Sequence, residues 1–163
     1  MKTSIRKVVE TDAPAICDIY NYYVTHTIVT FEHDPVAVPD MTGRIREVAA
    51  VYPWLVAESE LGVIAYAYAT RWRSRAAYDQ TAESTVYVRN DVTGEGVGFP
   101  LYMALLEALR KQSVHAVVGC IALPNHGSVA FHEKCGFRKV ALFPEVGRKF
   151  GAWVDVGFWQ VLL

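Results

Sequence analysis

The segment Gly94-Glu95-Gly96-Val97-Gly98 offers the most specific chemistry in the chain. Glycines let the backbone approach a ligand, and successive N–H groups running into a helix N-terminus form an anion site, so a phosphate-bearing molecule could dock there. Neighbouring residues exclude two well-known phosphate loops. A Walker A loop needs Gly-Lys followed by Ser or Thr, whereas Gly98 is followed by Phe99 and Pro100. A dinucleotide fingerprint opening at Gly94 needs Gly or Ala where Phe99 stands, and it belongs after the first strand of a βαβ unit. On this motif alone, a tight strand-to-helix turn with no ligand stays open. Upstream, Arg71, Arg73 and Arg75 alternate with Trp72, Ser74 and Ala76. If that stretch is extended, all three guanidinium groups emerge on one face, either as forks for carboxylate or phosphinate oxygens or as solvated edge residues. Downstream, Asn125 can cap a helix that carries His132, a residue type whose unperturbed imidazole titrates near pH 6.5.

The elements that must hold these groups are legible from periodicity. Ser4–Val9 reads as a first strand, followed by a helix capped by Thr11 or Asp12, with Pro14 in its first turn and an apolar stripe of Ile16, Ile19, Tyr20 and Tyr23. Pro39 and Asp40 open a helix through Val51. Trp54–Glu58, a turn at Glu60–Gly62 and Val63–Arg71 form a strand-turn-strand pattern. Ser84–Val88 is a strand that leads through the glycine turn into a helix from Pro100 to about Gln112. His115–Ala122 is an apolar run expected in mid-sheet, covered on both faces. Asn125–Lys134 is a short helix ended by Gly136, and Phe137–Phe143 with Trp153–Leu162 close the sheet. Alternating strands and helices predict an α/β domain, a mixed sheet with helices on both faces, spanning residues 1–163 as one unit.

Composition narrows the function classes. With 163 residues the chain suits one domain, and a charge of −1 gives no general attraction to nucleic acid or anionic lipid. The 52% hydrophobic content suffices for an independent core. Cys17, Cys120 and Cys135 are an odd set with no C-x-x-C pair, which suggests reduced thiols, no zinc knuckle and a cytoplasmic protein. No apolar run reaches the length of a membrane span, and the start lacks the pattern of a secretory leader.

The order of strand, glycine turn, helix, strand and an Asn-led helix closing on Glu-Lys-Cys-Gly-Phe (Glu133 to Phe137) resembles the GNAT superfamily of acetyl-CoA-dependent N-acetyltransferases. Tyr52–Glu58, Ala77–Val88, Ala122–Phe137 and Lys149–Gln160 resemble the phosphinothricin and methionine sulfoximine acetyltransferases within it, and the likeness runs from about Ile5 to Gln160. The resemblance implies a mostly antiparallel GNAT sheet, acetyl-CoA as cofactor, a homodimer and acetyl transfer to the α-amino group of phosphinothricin, methionine sulfoximine or methionine sulfone. Rival readings are another small amine or a protein N-terminus as acceptor, or a non-catalytic acyl-CoA-binding module.

Acetylating an amine needs a base for the ammonium proton and an acid for the departing thiolate. The resemblance implies Glu83, at the mouth of the Ser84–Val88 strand, as the base, and His132, seven residues after Asn125, as the acid or a proton relay. It implies that Gly94, Glu95, Gly96, Val97, Gly98 and Phe99 hold the pyrophosphate, that the backbone of Val86, Tyr87 and Val88 pairs with the pantetheine arm, and that Asn125 contacts the cofactor. Tyr87 should point away from its valine neighbours. Phe31, Arg73, Arg75 and Tyr78 are the implied acceptor residues. One departure stands out: Thr93 and Gly94 occupy places where the family carries Gln or Arg and a further basic residue, with acidic Glu95 next.

Overall fold

A computed structural model describes residues 2–163. Eleven strands and helices follow one another as β1 (Ser4–Lys7), α1 (Ala13–His26), α2 (Val38–Ala49), β2 (Trp54–Ser59), β3 (Gly62–Arg71), β4 (Thr81–Val88), α3 (Gly98–Lys111), β5 (Ala116–Leu123), α4 (His126–Lys134), β6 (Arg138–Lys149) and β7 (Ala152–Leu162). The seven strands form one sheet in the order β1-β2-β3-β4-β5-β7-β6. Every neighbouring pair is antiparallel except β4 with β5.

Strand alternation divides the core between the two faces. Trp54, Val56 and Tyr66 pack against Ile16, Ile19, Tyr20 and Val24 of α1 and Met41 and Ile45 of α2. Leu55, Ala65, Ala67 and Ala69 pack against Leu101, Tyr102, Leu105 and Leu109 of α3, with Phe131 of α4 at the margin. Alanines dominate the β3 side of that second layer, where α3 lies against the strand. Tyr87 joins the α1 side while Val86 and Val88 join the α3 side, as strand alternation requires.

Several expected boundaries shift for physical reasons. β1 ends at Lys7, because the chain turns into a single 3-10 turn at Glu10–Asp12. Asp12 does not cap α1: its carboxylate accepts the Val9 N–H at 2.9 Å and both ends of the Arg6 guanidinium. α2 stops at Ala49, two residues before Val51, and β5 lies one residue later than expected. β4 begins at Thr81, so Glu83 is inside the strand, paired with Thr70 on one side and Val118 on the other, rather than at its mouth. α3 starts at Gly98, which makes the last glycine of the turn the first helical residue. β6 runs to Lys149, well past Phe143, and tolerates Pro144 because it is the edge strand and bulges between Phe143 and Gly147.

Candidate active site

The parallel seam between β4 and β5 is short. Pairing runs from Thr81 with Ala116 to Ser84 with Gly119 and then stops, although both strands continue, to Val88 and Leu123. Beyond the seam the strands diverge into a cleft of about 690 Å³. β3 and β7 take up the outer edges of β4 and β5 as far as Val88 and Leu123, so the facing inner edges over residues 85–88 and 120–123 have no strand between them. These edges line the cleft together with the glycine turn, Asn125, His132 and the segment Val29–Phe31 after α1.

The glycine turn forms the outer lip. Gly94 and Gly96 have φ of 84° and 80°, a conformation that costs glycine nothing and strains other residues, and α3 begins at its end. None of the residues in the first turn of α3 is acidic, and no side chain caps the helix, so its leading N–H groups face the cleft without a built-in partner. Asn125 caps α4, its Oδ1 accepting the Ser128 N–H at 3.0 Å. That bond leaves the Asn125 amide hydrogens for another acceptor. Lys134, not singled out from sequence, lines the same lip with its ammonium 4.8 Å from the centre of the Phe99 ring. Its signal was only the basic residue closing an Asn-led helix.

Glu83 lies where the seam opens. Burial pushes its carboxyl pKa up, and the nearby Arg73 guanidinium partly opposes this. His132 is buried at 5% exposure on the inner face of α4, and burial pushes its pKa down, so the imidazole is neutral at pH 7. Its Nδ1 lies 2.8 Å from the Ser128 carbonyl, which can only accept, so Nδ1 carries the hydrogen and Nε2 is left as the acceptor. A Cβ built at Gly119 would lie 2.8 Å from Nε2, so the ring fits only because that strand position is glycine.

The acceptor residues expected from sequence separate. Phe31 lines the cleft, whereas Arg73, Arg75 and Tyr78 are exposed outside its lining. The single-faced arginine row does not form: the chain leaves β3 at Arg71, and Ala76–Tyr78 make a 3-10 turn. Arg71 pairs with Asp79 at 2.7 Å, and Arg73 stacks its guanidinium 5.0 Å from the Trp72 ring centre. Of the three, Arg73 is the one whose charge reaches Glu83.

Comparison with known proteins agrees with this geometry. The acetyltransferase (GNAT) domain matches residues 5–157. The chain therefore belongs to the GNAT acetyltransferase family. It is 41% identical to the phosphinothricin N-acetyltransferase of Streptomyces viridochromogenes, over 96% of this chain and 85% of that one. It is 37% identical to the L-methionine sulfoximine/L-methionine sulfone acetyltransferase of Pseudomonas paraeruginosa, over 100% of this chain and 96% of that one. Among solved structures, the phosphinothricin acetyltransferase of Sinorhizobium meliloti in complex with acetyl-CoA superposes with a TM-score of 0.95 at 31% identity, covering 100% of this chain and 89% of the other.

Proposed function

We propose that this protein transfers acetyl from acetyl-CoA to the α-amino group of a small amino-acid analogue of the phosphinothricin, methionine sulfoximine or methionine sulfone type, and that residues 1–163 act as one catalytic domain. The observation that carries this reading is a desolvated carboxylate, Glu83, at the apex of a cleft whose other end is an anion-binding turn. Relatives named for these two acceptors cover almost the whole chain, which supports the same acceptor class here.

The cleft suits coenzyme A along its length. The N–H groups from Gly94 to Phe99 would take the pyrophosphate, with Lys134 as the cation that Thr93 and Gly94 do not provide. The inner edges of Val86–Val88 would pair with the pantetheine arm as an added strand, and Asn125 has amide hydrogens to give. Bound there, acetyl-CoA supplies a thioester carbonyl open to attack. Glu83 takes the proton of the acceptor ammonium, directly or through one water, which frees the nitrogen lone pair. His132 lines the cleft on the face of β4 and β5 opposite Glu83 and has an unprotonated Nε2. Its role would therefore be to take the second proton from the nitrogen as the amide forms and give it to the departing thiolate, rather than to act first as an acid. Phe31 covers the acceptor, and Arg73, whose charge is felt at Glu83, is the arginine to meet its anionic group, while Arg75 and Tyr78 lie outside the lining.

We also infer a cytoplasmic homodimer. Cys17, Cys120 and Cys135 are all free thiols, and no helix among the described residues is long and apolar enough to cross a membrane. Val140, Leu142, Phe143, Val146, Phe150 and Trp153 are large apolar side chains exposed along β6 and its turn into β7, a surface suited to a second copy. Sedimentation should give twice the chain mass, and Trp153→Asp should shift it toward monomer; a wild-type monomer would overturn the dimer.

The deciding experiment for the activity is a panel of amines scored by release of free thiol from acetyl-CoA. Turnover of the two amino-acid analogues above simple amines is expected, and equal rates across the panel would refute the acceptor assignment. Cofactor placement has a separate check. Saturating acetyl-CoA should raise the melting temperature, by linkage, and Gly96→Val, which forces a branched residue into positive φ, should remove most of that shift.

A further inference from the structure

We infer that Lys149 is a positioning residue for the acceptor pocket, holding the segment that carries Phe31 against the far strand of the sheet; this rests on the acceptor reading above. Lys149 ends β6 and is 1% exposed, an unusual state for a lysine. Its Nζ donates to the backbone carbonyl of Thr30 at 2.6 Å, a bond between residues 119 positions apart in sequence. The ammonium also lies 5.1 Å from the centre of the Phe150 ring. Thr30 and Phe31 both line the cleft.

Two further contacts hold the same segment. Thr30 Oγ1 meets the Tyr20 hydroxyl of α1 at 2.7 Å. The Phe31 ring lies so close to Gly147 of β6 that a Cβ built there would fall on ring atoms. Phe31 is nevertheless 39% exposed, so burial alone does not hold it in place. A buried ammonium with one carbonyl as its hydrogen-bond acceptor is costly to keep unless it secures something, and what it secures is the Thr30–Phe31 segment that lines the cleft. β6 thus contributes to the acceptor pocket through Gly147 and Lys149 without supplying a group that reacts.

Lys149→Met keeps the length of the side chain and removes the donor. Two readouts are taken on it: hydrogen exchange of the Thr27–Glu32 amides without any substrate, and acceptor KM, kcat and acetyl-CoA affinity by steady-state kinetics. Exchange in that segment should rise about tenfold or more while β4 stays protected, and acceptor KM should rise by about tenfold with kcat and acetyl-CoA affinity nearly unchanged. Lys149→Gln, which retains a donor, should recover part of the loss. Gly147→Ala, acting from the other contact, should reproduce the rise in acceptor KM. Unchanged exchange in a folded Lys149→Met protein would overturn the inference, as would parallel losses in acceptor and acetyl-CoA binding, which mark general destabilisation. A rise in exchange with unaltered KM would overturn the role in acceptor binding. If the wild type acetylates no amino-acid analogue, the acceptor assignment fails, and with it the positioning role, while the exchange experiment still reports whether Lys149 holds the segment.

Discussion

Glu83→Gln should lower turnover by about 10²-fold or more and, at neutral pH, raise the melting temperature. Both effects follow from one carboxyl in a desolvated place. The amide keeps the shape and cannot take the proton. The stability effect has a definite sign. Burial raises the folded-state pKa of Glu83 above its ordinary 4.5, so the folded protein binds this proton more tightly than the unfolded chain. Stability from this group is therefore lost as pH rises from about 4.5 through the raised value, and the cost persists at pH 7. The glutamine variant escapes that cost, and its advantage should vanish below pH 4.5, where both folded and unfolded wild type are protonated. In wild type, kcat/KM should fall on acidification through the raised pKa, because only the carboxylate is a base. Calorimetry and a pH-rate profile test the pair. Near-wild-type turnover, or a variant that melts lower at neutral pH, would make Glu83 a structural carboxylate.

Arg73→Ala should reduce kcat/KM for phosphinothricin or methionine sulfoximine by roughly 10- to 150-fold, the effect of losing one charged donor to an anionic group. A neutral amine without that group should be acetylated almost as before. The substitution carries a second signature. The Arg73 charge holds the Glu83 pKa below where burial alone would put it, so removing the charge should move the acid limb of the pH-rate profile to higher pH. Because Arg73 is exposed, both measurements belong at matched ionic strength. Equal losses for anionic and neutral acceptors would remove Arg73 from acceptor recognition, and an acid limb that does not move would remove its coupling to Glu83.

The parts that were readable in sequence are those governed by local chemistry. The glycine turn needs positive φ at Gly94 and Gly96, and glycine is the residue that permits it. The opposite sides taken by Tyr87 and its valines follow from strand alternation. What escaped depends on distant partners. Arg71, Arg73 and Arg75 alternate in sequence, yet the row requires an extended chain, and the strand ends at Arg71 where its pairing with Ala82 stops. The start of β4 at Thr81 has no apolar alternation to announce it and is set by pairing with Ala116 of β5. Pro144, Glu145 and Gly147 read locally as a break, while β7 carries β6 through them. Lys149 bears no local sign of burial, since its partner carbonyl lies at the other end of the chain.

The short seam between β4 and β5 bears on how such an enzyme can change over generations. On the proposed reading, the groups offered to the cofactor are largely main-chain N–H and C=O groups of the diverging strands and the glycine turn, which side-chain substitution leaves in place. Those proposed to meet the acceptor are side chains, on Phe31 in the cleft and Arg73 beside it, carried on segments outside the sheet. Acceptor range can therefore drift by single substitutions while the grip on the acyl donor is inherited intact. On that reading one acyl donor is kept while the acceptor changes, and new amines can be tried without rebuilding the catalyst.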